Sequence, residues 1–379
     1  MRRLMLLALA LSTPSVAYAR LPPPPLPAGA RPPSELVSFA PPSGTVTCKD
    51  RQLTVIESAP FRSRIWQTWA PPVSTGPATP AIPRPPASEA YVFSVDDEGA
   101  VIDLKRAATA ASWQPDEQAA TLATWRFAPG APATGCRLDL APTVSALDDA
   151  APAKLFEMIA LEGRNTPTVV RETVSKWGDC GQAPRRRPHV VVYPDLRAFD
   201  DKSIAPAWAA ITYGIDAAGA MRDVSIVAQG GDTAFADAAA AAMAETRSYP
   251  GPPRHGCYAT FSASPRSTPA PKRPESKSFR RPGDACEVTQ AALNIPETKL
   301  YPPVYAARKV GGWAILRFDV APWGAVGNVE VLASQPSDAF GVAARNLVAN
   351  ARPTPPATGY RGCIVPVLYA VPPPVEDLH

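Results

Sequence analysis

Residues 301–369 read YPPVYAARKVGGWAILRFDVAPWGAVGNVEVLASQPSDAFGVAARNLVANARPTPPATGYRGCIVPVLY, and the periods in this stretch decide the fold. From Gly312 to Val320 the residues alternate. Ala314, Leu316, Phe318 and Val320 share one face and Ile315, Arg317 and Asp319 the other, which predicts a half-buried strand. Ala321-Pro322-Trp323-Gly324 supplies a turn, with glycine free to take φ > 0, and a second β-rich run follows from Val326 to Leu332. Phe340, Ala343, Ala344, Leu347, Val348 and Ala351 then recur at the spacing of one helix face. Arg352 and the prolines at 353, 355 and 356 end that helix, and a last strand starts at Cys363. Strand, hairpin, strand, helix, strand makes an α+β unit, one helix on a small antiparallel sheet.

The same order occurs twice more. One segment starts YVFSVDDEGAVIDLKR at Tyr91 and continues through EQAATLATWRFAP and GCRLDLA. The other starts WAAITYGIDAAGAMRDVSIVA at Trp208 and continues through FADAAAAAMAETRSYP and GCYATFSA. The turn glycines are Gly99, Gly219 and Gly324, the helix-end arginines Arg126, Arg247 and Arg352, and the following cysteines Cys136, Cys257 and Cys363. Glycine to arginine spans 27, 28 and 28 positions and arginine to cysteine 10, 10 and 11. Markers held in register over three segments at this period mean tandem domains rather than a solenoid.

Tyr301-Pro302, Ala306, Gly312, Phe318, Gly324, Val326, Ser334, Pro336, Phe340, Ala344 and Arg352 together resemble the C-terminal domain of TonB, the periplasmic energy transducer of Gram-negative bacteria. The first segment closes its helix with Trp125-Arg126-Phe127-Ala128-Pro129, which resembles the family's helix ending in full, and the second keeps a Tyr193-Pro194 entry. The resemblance therefore extends to three divergent tandem copies. It implies non-catalytic binding of extended segments of outer-membrane transporters by strand addition to an exposed sheet edge. In the third copy it singles out Tyr301 and Pro302, with Ile364, Val365 and Val367 along the final strand. Pro366 interrupts that strand and removes one N–H where a peptide could pair.

The chain has 379 residues, 48 of them proline and 23 glycine, with 46% hydrophobic and 19% charged residues. That composition suits folded domains separated by Pro-rich spacers. A net charge of +4 is too weak to suggest a nucleic-acid partner, and no aromatic–basic strip supports one. Residues 1–19 read as a signal peptide: Arg2 and Arg3, an apolar run from Leu4 to Leu11, and an Ala17-Tyr18-Ala19 cleavage site. The run is about half the ~20 residues a membrane span needs, so the expected location is the periplasm. The expected division is a Pro-rich spacer at 20–45, domains at 46–142, 178–264 and 284–372, a connector at 143–177, a basic Pro-rich linker at 265–283 and a tail at 373–379. Residues 70–86 form a Pro-rich insert in the first domain.

Six cysteines behind a leader imply an oxidising compartment. The repeat selects Cys48–Cys136, Cys180–Cys257 and Cys286–Cys363, because the last two pairs are both 77 positions apart and the first is lengthened by its insert. Metal ligation would need clustered Cys and His, and the chain holds no CxxC or HxxxH. The three histidines, His189, His255 and His379, stand near no nucleophile elbow, and there is no GxSxG, P-loop or dinucleotide turn. Asp96-Asp97-Glu98 reads as a turn, and Arg126, Arg247 and Arg352 as caps on helix-end carbonyls. No enzyme activity, cofactor, metal, nucleic acid or small-molecule substrate is expected. The expected role is an accessory binding protein of TonB-dependent transport. The alternatives are an energy transducer with a retained anchor and a structural envelope scaffold.

Overall fold

The computed structural model describes residues 34–40, 44–49, 51–67, 88–107, 116–183, 185–286, 293, 301–355 and 358–371. The expected leader, the 70–86 insert and the tail lie outside them. In the 301–371 region, strand Gly312–Val320 lies centrally between Val326–Gln335 and Tyr360–Tyr369, all antiparallel. Helix Asp338–Ala349 covers one face with Phe340, Ala344, Leu347 and Val348. These pack on Ala314, Leu316, Phe318, Val365 and Val367 in one core. The central strand is not half-buried as its alternation predicts, because Trp313 and Ile315 on the second face are also sealed. The expected linker contributes to that seal. Trp313 Nε1 donates to the Pro271 carbonyl at 2.8 Å, and Thr268 exchanges hydrogen bonds with Lys309 and Gly311.

The same strand order recurs at Trp208–Ile215, Met221–Gly230 and Arg254–Ser262, with helix Thr233–Glu245 after the hairpin. Asp232 caps this helix by accepting the Ala234 N–H at 2.9 Å. A third instance, Glu89–Val95, Val101–Arg106, helix Glu117–Thr124 and Ala133–Leu140, belongs to a larger sheet of six strands. In all three the hairpin glycine is left-handed: φ is +82° at Gly99, +93° at Gly219 and +85° at Gly324. A Cβ there would fall 2.1 Å from the Phe127 carbonyl oxygen, 1.9 Å from that of Ser248 and 2.8 Å from that of Pro353. Each of those residues directly follows a helix-end arginine. The chain leaving the helix thus runs against the hairpin turn, which accounts for the near-constant glycine-to-arginine spacing. Phe127 and Ser248 also donate their N–H to the turn glycine's carbonyl, at 2.9 and 2.8 Å. Pro353 has no N–H to do so.

The segments do not stand alone. Tyr91, Leu122 and Trp125 of the first share one core with Tyr305, Phe318 and Phe340 of the third. Leu104 N–H bonds the Pro336 carbonyl at 2.9 Å, and Asp103 and Gln335 exchange two hydrogen bonds of 2.7 Å. The expected connector is structural as well. Its helix Pro152–Glu162 lays Leu155, Phe156, Met158 and Ile159 on Trp208, Ala210 and Ala228, while Ala209, Ile211 and Phe235 meet on the opposite face. This sheet therefore carries a helix on each side. Ser34–Phe39, placed in the spacer by sequence, is a strand paired antiparallel with Pro142–Ala146.

Candidate peptide-binding edge

Pro302 is buried and opens helix Pro303–Ala307, its carbonyl accepting the N–H groups of Tyr305 and Ala306 at 3.0 Å each. The Tyr301 ring stands edge-on to Phe340 (6.0 Å) and Tyr369 (5.4 Å). Its hydroxyl donates to the Val310 carbonyl and lies 3.4 Å from that of Tyr369. Burial raises the Tyr301 phenol above its ordinary pKa, with Tyr369 adding to the shift. Gly312 makes room for this cluster, since a Cβ there would lie 2.4 Å from the Phe340 ring. Tyr301 and Pro302 therefore hold the chain entry against the end of the final strand, beneath the helix.

That final strand is an edge of its sheet. Cys363, Val365, Val367 and Tyr369 point into the core, Ile364 is half-buried, and Leu368 is exposed. Val365 and Val367 can therefore serve an edge only through their backbone. Pro366 does not interrupt the strand; it continues opposite Ile315 in unbroken register. A proline is accommodated there when its nitrogen faces away from the partner strand. Chain before the strand lies along its start. Ala285 N–H bonds the Arg361 carbonyl at 3.2 Å, Asp284 receives Arg317 Nη2 at 2.6 Å, and Cys286 is joined to Cys363. The Arg317 hydrogen bond holds the Asp284 carboxyl below its ordinary pKa.

In the second segment, Ala263 N–H bonds the Ala207 carbonyl, so alternation places the paired groups at 261, 259 and 257 and turns Tyr258 and Thr260 outward. Thr260 and Pro366 are each three positions after their cysteine, so the second edge keeps a donor that the third lacks. His255 N–H bonds Asp179 Oδ1 at 2.7 Å, and Cys180 is joined to Cys257. Tyr193 is exposed, with its ring edge-on to Phe261 at 6.5 Å, while Phe199 rather than Tyr193 meets Phe235 inside, at 5.3 Å. In the first segment the final strand is no edge. Thr45–Cys48 pairs along it, Cys48 opposite Cys136, and the two are joined as a disulfide.

Arg126, Arg247 and Arg352 each donate Nη1 to the carbonyl of the preceding residue, at 2.9, 2.7 and 2.9 Å. Asp96 accepts the N–H groups of Glu98 and Ala100 at its turn. His189 packs on Tyr249 at 4.8 Å. Sequence reasoning missed a charged cluster of buried Arg308 and Glu157 with half-buried Arg62, because only tertiary packing brings these residues together. Among the described residues no helix is long and apolar enough to cross a membrane.

The family model described as Gram-negative bacterial TonB protein C-terminal matches residues 297–371. No curated protein matches the chain. One helix on a three-stranded antiparallel sheet, entered through Tyr301-Pro302, makes this C-terminal region similar to a TonB C-terminal domain.

Proposed function

We propose that the protein is a non-catalytic, periplasmic binding protein, accessory to TonB-dependent transport, that takes up extended segments of outer-membrane transporters by strand addition. On this reading 46–142 and 178–264 are divergent copies of the 284–372 domain. The shared left-handed turn glycine and the chain that runs against it support that descent. The observation that carries the binding role is the outward-facing backbone of the later part of edge strand Arg254–Ser262, beyond the Asp179–His255 contact, with a donor at Thr260 and exposed Tyr193 beside it. An added strand pairs with such groups while neighbouring side chains select the partner. Chain preceding each domain lies along the start of both final strands, at Asp179-Cys180 and Asp284–Cys286, so the third copy offers the poorer edge through Pro366 at the position of Thr260.

The test is titration of the full mature chain, recovered from the periplasm and expected to begin at Arg20, with an extended periplasmic segment of an outer-membrane transporter. Thr260→Pro deletes one outward N–H and no internal ladder bond, so binding should weaken at least tenfold with the melting temperature nearly unchanged. An affinity unmoved by this substitution, or no binding by the unaltered chain, rejects strand addition. The envelope-scaffold reading then takes its place. It is favoured by one observation of its own, that the first copy fills its edge with Thr45–Cys48 of the same chain.

A further inference from the structure

A cavity of about 270 Å³ lies between helix Pro152–Glu162, the chain at 205–208, the 229–231 corner and Arg308. Trp208, Leu161, Pro60 and Pro206 give it apolar walls, and exposed Ala153, Gln229 and Gly231 open it to solvent. Arg62 and Arg308 both line it. Arg308 is only 4% exposed, yet among the described residues its Nε and Nη2 have no hydrogen-bond partner, and neither does Arg62 Nε. Two guanidinium groups with unsatisfied buried donors are costly unless an acceptor is supplied.

The nearby carboxylates do not supply it. Glu157 is held by Lys154 at 2.9 Å. Glu117 Oε2 approaches Arg308 Nε only to 3.9 Å and has no hydrogen-bond partner among the described residues. Glu162 is lifted to about 7 by burial, opposed by Arg62 and reinforced by Glu117. Arg62, Arg308 and Lys154 thus face Glu117, Glu157 and the partly neutral Glu162, a balance that leaves room for a single negative charge. A dianion would meet repulsion from Glu117 and Glu157, whereas one carboxylate matches the planar donor fork of a guanidinium.

We infer that this cavity is a binding site for a small monocarboxylate with an apolar body, its head held by Arg62 and Arg308 and its body against Trp208 and Leu161. The site is separate from the strand edges and stands or falls independently of them. Calorimetric titration of the full chain in chloride-free buffer, with N-acetylvaline as probe, tests it. One N-acetylvaline per chain should bind, at least tenfold tighter than N-acetylvalinamide and than inorganic phosphate. Arg308→Gln and Arg62→Gln should each weaken it at least tenfold. Leu161→Trp fills the cavity and leaves both arginines in place, so it decides the matter if the arginine variants fail to fold; it too should weaken binding at least tenfold at unchanged thermal stability. Absence of binding, equal binding of the amide, tighter binding of phosphate, or full affinity in Leu161→Trp would each overturn the assignment.

Discussion

The hairpin glycines show how one residue is constrained twice. Each adopts a left-handed φ and each faces a carbonyl oxygen on the chain leaving the helix. Any side chain therefore meets both backbone strain and a collision, and the severity follows the distance. Gly219→Ala and Gly99→Ala should each lose on the order of 2–3 kcal/mol in denaturant unfolding, and Gly324→Ala, with its larger gap, about 1 kcal/mol. Gly327→Ala has nothing within 4 Å of the new Cβ and should stay within about 0.5 kcal/mol. Equal losses at all four positions would disprove the steric account. Glu162 gives a second test at this scale. Burial raises its carboxyl from the ordinary 4.5 to about 7, so the folded chain binds more protons than the unfolded chain between those values. Stability from this group is full below about 4.5 and is lost as the pH rises through 7. Unfolding free energy, measured from pH 4 to 8, should therefore fall in the unaltered chain relative to Glu162→Gln. A parallel pair of curves would show that the carboxyl titrates normally.

Helix Pro152–Glu162 is the element whose role changes most on folding. Its apolar face could be read from PAKLFEMIALEG, but the surface it covers could not. That surface is the second face of Trp208–Ile215, where successive residues Trp208, Ala209, Ala210 and Ile211 alternate between two cores. A strand buried on both sides reads as a continuous apolar run, and both WAAI and GWAIL in the third segment are such runs. Phe156 is 3% exposed and lies edge-on to Tyr258 at 5.6 Å. Phe156→Ala should cost about 3–5 kcal/mol in unfolding experiments. It should also raise amide exchange in strands Trp208–Ile215 and Arg254–Ser262. If stability is lost while exchange in those strands is unchanged, the helix is not part of the second sheet's core.

At the scale of the molecule, the first and third segments share a core and are joined by the Asp103–Gln335 and Leu104–Pro336 hydrogen bonds. Leu122→Ala, in the first segment's helix, should therefore lower exchange protection in Glu89–Val95 and Gly312–Val320 together. Loss confined to Glu89–Val95 would mean that the two unfold as separate units. The features legible in the amino-acid order are mostly local. Alternation, turn glycines, helix faces and helix-ending arginines are set by φ/ψ preference and by one-sided burial, and these are written in neighbouring residues. The cysteine pairs were legible from a longer-range signal, the register of the three recurring segments. Tertiary structure alone decided what lies against each element. It placed chain 268–271 against Trp313, helix Pro152–Glu162 on the second sheet, and Arg308 beside Arg62 at an apolar cavity. Those juxtapositions join residues up to hundreds of positions apart. They depend on which surfaces find complementary shape and charge, a property no window of sequence carries.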